Sequence, residues 1–461
     1  MSDISRVFNT AKETLLSNLT AINVTSSNIA NVNTAGYSRL RPVFGAVRQA
    51  GAGVDSLQVG VRITNVERIY DRYLEEQLVQ QQQEVGYNDT CSDLLGRVEE
   101  VFNESSVDGL SDLMNQFWGS WSDLSANPSD KGERDVLASV AGSLASAFRQ
   151  YSSSLESLQS DANEGVADQV SQLNAYLTDM AVLNQQIVQS ETGGMSADNL
   201  KDQRTELLKS IGTLVDIQYF EEADGGLNVF LSNGTALVQG ATTFPLMVKD
   251  NSSNSNLYDV VAVNETDVSL NSAIRGGKIG GFLEIRDIKI PEYMKELDAV
   301  ASALISAVNT AHQSGYDVNG DAGVTFFLPA ATAKGMVLNP AIEADSAKIA
   351  ASATVNGDGD KARSIATLQD SLLMSGGRVT ISNYYSSFLA TIGQDAAGAA
   401  NAAERQQAIS SQLVSQRESV SGVSLDEEML SLIKYQAGYN AAGKLCGVVN
   451  EMLDTLMALG E

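Results

Sequence analysis

The sequence predicts a mainly α-helical chain with an inserted β domain, an α+β protein. Helices with a coiled-coil-like stripe stand at its two ends, a domain of long helices lies between them, and a β-rich domain is inserted into that helical domain. Three observations carry this reading. Apolar residues step by three and four at both ends; the same spacing runs with few breakers through residues 67–214; and the period changes to two between 215 and 290. At 461 residues the chain exceeds the usual span of one core, so two or three domains are expected. The division that follows is 1–66 with 420–461 as an inner terminal-helix domain, 67–214 with 291–419 as a long-helix domain, and 215–290 as the β insertion.

The opening stripe is Ile4, Phe8, Ala11, Leu15, Leu19, Ile22 and Ile29, one face of a helix. "SNIANVNTAGYSR" stops that helix. Asn28, Asn31 and Asn33 can satisfy its last carbonyls, Gly36 permits a sharp exit, and Tyr37 anchors the segment beyond, where a hairpin is expected. Residues 67–214, broken at "SANPSDKGE" and "ETGGMSADN", read as three or four long helices. "DIQYF", "GLNVFLSNGTALVQG" and "LYDVVAVN" alternate as strands between Gly and Asn clusters. Helical spacing returns at "PEYMKELDAVASALISAVNTAHQ", and a further long helix runs from about 379 to 416. The closing series Met429, Leu432, Tyr435, Tyr439, Ala442, Cys446, Val449, Leu453 and Leu456 is close to a heptad seam. Ser424 and Glu427 stand at capping-box spacing before it, and Asp426, Glu427 and Glu428 suit the positive end of the helix dipole.

Charge and chemistry narrow the function. Thirty basic against fifty-seven acidic residues give a formal charge of −27, which repels phosphate backbones and anionic lipid, so neither nucleic acid nor a membrane surface is an expected partner. No run of about 18 apolar residues occurs to span a bilayer. The N-terminus lacks the basic flank and apolar run of a cleavable signal, which taken alone points to the cytoplasm. Cys91 and Cys446 have no metal-like or redox spacing. His312 is the only histidine, so His-dependent triads and H-E-x-x-H zinc sites are excluded; at the end of an apolar helix it reads as solvated or capping. "YDVNGDAG" places Asp317, Asn319 and Asp321 as the first, third and fifth positions of a calcium loop. Ala322 stands where Gly belongs and Leu328 where the closing Glu belongs, so an Asx-rich turn is the better reading. Nothing points to an enzyme or to a bound cofactor.

"SSNIANVNTAGYSR" resembles the N-terminal signature of the bacterial flagellar axial proteins of rod, hook and hook-filament junction, and "SGVSLDEEMLSLIKYQAGYNAAGKLCGVVNEMLDTLM" resembles their C-terminal end. Within that family "DNLKDQRTELL", "ALVQG", "GYDVNGDAG" and "SGVSLDEE" look like the junction members. Larger members carry a further β domain after the "NGDAG" region; here "VTFFLPAA" leads to "NPAIEADSAKIAASATV" without one. The resemblance implies terminal helices paired beside a central channel, an outward β domain, and a structural role: a layer between hook and filament built by head-to-tail self-assembly. It implies as partners the chain itself, the hook protein, a second junction protein or the filament protein, and an export chaperone at the C-terminal helix. It also replaces the cytoplasmic reading with an external one, reached through the flagellar type III apparatus without a cleaved signal. The expected assembly contact is Ile4, Phe8, Leu15, Leu19, Ile22, Leu432, Tyr439, Val449, Leu453 and Leu456, beside the turn residues Asn28, Asn31, Asn33, Gly36 and Tyr37. Intramolecular packing of the same stripes is the plain alternative. A hook or distal rod protein is the nearer rival function; an adhesin or hydrolase carried on a helical stalk is the remoter one.

Overall fold

The computed structural model describes residues 2–48, 58–103, 109–193, 196–355 and 357–458. Its first helix, α1 (Ser2–Ala30), runs into a turn and then an antiparallel hairpin of β1 (Leu40–Arg48) and β2 (Gln58–Arg68). Four helices follow: α2 (Arg72–Val101), α3 (Leu110–Ala126), α4 (Lys131–Thr192) and α5 (Asp198–Leu214). Asp71 caps α2 by accepting the amides of Tyr73 and Leu74, and Asp130 caps α4 through Gly132. At 62 residues α4 is about 93 Å long and links two cores.

The larger core takes Leu137 to Ala162 of α4, the inner faces of α2 and α3, and apolar residues from farther along the chain. Phe117, Trp118 and Trp121 of α3 are fully buried there against Phe326 and Phe327. The second core takes Val166 to Ala181 of α4, Leu208 and Ile211 of α5, and one face of two small sheets. The first sheet orders β3 (Ile217–Glu221), β4 (Leu227–Leu231), β5 (Ala236–Gln239) and β6 (Thr242–Thr243); the second orders β7 (Leu246–Asn251), β8 (Leu257–Ala262) and β9 (Glu265–Ser269). All pairings are antiparallel. The strands therefore bury their apolar faces on α4 and α5, and Ile279 and Leu283 from farther along the chain complete that core.

The last strand ends at Ser269, before the expected β-rich stretch 215–290 closes. α6 (Gly277–Glu284) begins within that stretch and continues through a π-helical turn at Ile285–Lys289 into α7 (Ile290–Gln313). The misleading signal is glycine. Gly281 lies so close to α2 that a Cβ would sit 2.9 Å from the Tyr87 carbonyl oxygen, and Gly86 on α2 has the Thr213 carbonyl where its own Cβ would go. These glycines allow helices to approach each other instead of breaking a chain. The π turn directs Arg286 fully inside, where it bonds Asp287 and Asn163.

His312 is also displaced from its expected setting. It is completely buried: Ala350 N donates to Nε2 at 2.8 Å, which leaves Nδ1 to donate to the Val324 carbonyl at 2.6 Å. One neutral imidazole thus pins two non-helical stretches of the chain beyond α7, and burial lowers its pKa to about 4. Within that segment Asp317 accepts the amides of Asn319 and Asp321, the Asx turn expected from composition. After the short helices α8 (Pro340–Ala344) and α9 (Asp360–Ala366), α10 (Ile381–Ser421) returns antiparallel along α2, from Phe388 against Phe102 to Arg417 against Glu75. α11 (Leu425–Ala458) then pairs antiparallel with α1.

Candidate assembly site

The three strings "SNIANVNTAGYSR", "DNLKDQRTELL" and "SGVSLDEE" lie far apart in sequence and meet at one place, where the terminal pair joins the long helices. Gly36 has φ +77°, the left-handed backbone that permits the turn after α1. Asn31 donates from both its main chain and its side chain to the Ser27 carbonyl, as a helix-ending asparagine should. Asn33 is exposed. Asn28 departs from the capping expectation: its amide donates to the Leu40 carbonyl and to Glu428, while its oxygen accepts from Leu40 N and the Tyr37 hydroxyl. It binds the turn across to the hairpin and to α11. Burial raises the pKa of Tyr37, keeping that hydroxyl a donor.

From the body side, α5 offers Asp202, whose carboxylate accepts Ser38 N at 2.9 Å and Ser38 Oγ at 2.8 Å. Arg68 Nε lies 3.0 Å from the same carboxylate as a charge contact. Burial pushes the Asp202 pKa up, opposed by Arg68 and Ser38. From α10, Arg417 is 4% exposed and spreads its guanidinium over the turn: it donates to the carbonyls of Gly36 at 2.6 Å and Tyr37 at 3.0 Å, and to Glu75 at 3.1 Å. Burial disfavours the Arg417 charge, but bonds to Glu418 and Glu75 outweigh it and raise the pKa. Lys209 closes the group at 2.7 Å from Glu75 and 2.8 Å from Glu206. From α11, Glu427 and Glu428 hold Arg39 at 2.7 and 2.6 Å, and Arg39 N donates to the Ser421 carbonyl. Ser424 does precede α11, but Glu427 reaches Arg39 and not back to Ser424, so the expected capping box is replaced by a tie to the N-terminal turn.

Sequence reasoning named the turn but missed Arg417, Glu75, Lys209 and Asp202, because a charged residue on a mixed polar face carries no mark of a partner 134 to 381 positions away.

The apolar residues named from the sequence line the terminal pair. Val449 is buried; Ile4, Phe8, Leu15, Ile22, Leu432, Tyr439 and Leu453 are half-buried; Leu19 is exposed. The side chain of Leu456 lies outside the described residues. Most of the other buried seam positions are small or polar, among them Ala11, Ser17, Ala21, Thr25 and Ala442. At Gly438 a Cβ would come 2.7 Å from Asn18 Oδ1, so the Asn18 side chain of α1 packs directly on the α11 backbone. A second stripe faces away from α1: Leu430, Ile433, Ala437, Ala441, Leu445, Val448 and Met452, spaced by threes and fours and exposed along its length, with Leu430 70% and Ile433 61% open. Sequence reading overlooked it because α11 has apolar residues on two faces, and the first stripe absorbed the pattern.

Among the described residues no group of three or more His, Cys, Asp or Glu could hold a metal ion, and no helix is long and apolar enough to cross a membrane. Burial drives the Cys91 thiol up to about 12, far from a reactive thiolate.

Comparison with known proteins agrees with this geometry. The family described as flagellar hook-associated protein FlgK helical domain matches residues 95–327. The families of flagellar basal body rod FlgEFG protein C-terminal and flagella basal body rod protein match residues 414–459 and 8–37, the two sides of the junction just described. Flagellar hook-associated protein 1 of Bacillus subtilis is 28% identical over 97% of both chains, and that of Escherichia coli is 25% identical over 98% of this chain and all of its own. The solved structure of the flagellar hook junction protein FlgK from Burkholderia pseudomallei has the same fold, with a TM-score of 0.68 over 75% of this chain and all of its own at 16% identity. The helical-domain match spans just over half of the sequence, and the chain belongs to the flagellar hook-associated protein FlgK family.

Proposed function

We propose that the protein is a structural axial component of the bacterial flagellum that forms the junction between hook and filament by head-to-tail association of copies of itself. The observation that carries this reading is the second stripe of α11. About 33 Å of exposed apolar surface, from Leu430 to Met452, stands on a helix whose other side is already occupied by α1. The occupant is a second copy: a terminal pair with one satisfied face and one open face meets its neighbour through different surfaces on the two partners, which generates a ring or helical tube.

The remaining partners are the hook protein on one side and a second junction protein or the filament protein on the other, with an export chaperone covering the C-terminal helix before assembly. Export through the flagellar type III apparatus belongs to the same reading. No catalytic step is assigned, and the sole histidine has both ring nitrogens engaged in the core.

The rod families matching the two ends keep a rod or hook protein as the alternative, and the helical-domain match over 95–327 favours the junction. Electron microscopy of a deletion strain tests the choice. Hooks without filaments, with filament protein shed into the medium, support the junction role; missing hooks would assign the chain to rod or hook instead.

A further inference from the structure

The polar group at the root of the terminal pair is assembled unequally from the two ends of the chain. We propose that it is a latch: the turn of residues 27–39 becomes ordered only when residues 417–428 are in place, so that the two ends of the chain order together.

The partners of the turn show why. The body contributes one anchor, the Asp202 carboxylate on Ser38. The C-terminal segment contributes Arg417 on the Gly36 and Tyr37 carbonyls, the Ser421 carbonyl on Arg39 N, Glu427 and Glu428 on the Arg39 guanidinium, and Glu428 on Asn28; the remaining bonds are local, Tyr37 N to the Thr34 carbonyl, Asn28 with Leu40 and Tyr37, and Ile69 N to the Arg39 carbonyl. Without that segment two carbonyls lose their donor, Arg39 loses both its carboxylates, and Glu75 keeps only Lys209. A buried polar group left half-satisfied is costlier than one that is opened to water, so the turn then gains by unfolding. Positive backbone at Gly36 adds to this, since the bond that closes over it within the turn, Tyr37 N to the Thr34 carbonyl at 3.2 Å, leaves the Gly36 carbonyl to Arg417.

The latch does not depend on the proposed role in the flagellum, because it concerns the free chain, and it is tested there by hydrogen exchange. The amides of Tyr37, Ser38, Arg39 and Leu40 all have acceptors in the structure. In the full chain carrying Arg417→Met, their exchange rises about a hundredfold, while amides of the body such as Val260 and Val229 change less than threefold. Arg417→Lys, which can reach Glu75 but lacks the fork for two carbonyls, falls between. Coupling is reciprocal, so Asn28→Leu speeds exchange at Gly422 and Glu428 in turn. Unchanged protection of residues 37–40 in Arg417→Met overturns the proposal. Equal loss of protection in turn and body overturns it too, since Arg417 would then serve the body's stability and not the latch.

Discussion

Gly36 and His312 show how single residues are fixed by backbone and burial. At Gly36 a β-carbon would meet Glu206 Cγ at 2.1 Å, and φ is +77°. Glu206 can swing aside, but the backbone angle remains unfavourable for a β-branched residue, so Gly36→Val lowers stability of the terminal junction by about 2 kcal/mol and blocks incorporation. Motility and proteolytic resistance equal to the parent would contradict this. For His312, the folded pKa of about 4 lies below the unfolded 6.5. The unfolded chain binds more protons between these values, so the contribution is present above pH 6.5 and is lost as pH falls through about 4, a change of about 3 kcal/mol. Denaturant unfolding of the parent and of His312→Gln checks it: the variant is less stable at pH 7 and shows a flatter dependence between pH 4 and 6.5. The sequence placed this histidine correctly at a helix end. Its burial was invisible, because the residues that cover it come from the irregular 314–358 segment, which has no periodicity to read.

At the level of elements, α1, α2, α4, α7, α10 and α11 were legible because each repeats its apolar residues at helical spacing over several turns. The strands β3, β4, β5 and β8 were legible by alternation, whereas β6 and β7 lie outside the alternating stretches. The start of α6 was not, since Gly277, Gly280 and Gly281 look like breakers in a linear sequence and act as close-packing positions in three dimensions. The two faces of α11 make separable predictions. Leu432 and Leu453 look into the pair, so Leu432→Asp with Leu453→Asp places charges in the α1 contact, and α11 loses helicity in the isolated protein. Leu430→Asp with Ile433→Asp alters open positions, changes the monomer's stability by no more than about 0.5 kcal/mol, and removes assembly. Circular dichroism and sedimentation of the two double variants separate the effects; a monomer destabilised equally by both would mean that the outward stripe is part of the intramolecular core.

Across the whole molecule, a body with two large cores carries a thin terminal pair whose seam is built from alanine, serine and glycine. Such a pair frays from the end far from its root, and the root is held by Asp202, Arg417 and Glu428. Limited proteolysis of the monomer is expected to leave a resistant fragment beginning near Asn28 and ending near Glu428. A fragment confined to about 66–420 would show that the root is not held without neighbours. The charge of −27 makes monomers repel one another, so association is stronger at 0.5 M than at 0.05 M salt if apolar contact drives it.

The central claim is that open stripes on α11 join copies of this chain between hook and filament. Electron microscopy of cells whose only copy carries Leu430→Asp with Ile433→Asp tests it most directly. Complete hooks that end bare, with filament protein released into the medium, are expected; filaments of normal number and length on those cells would rule out the outward stripe as the joint between copies.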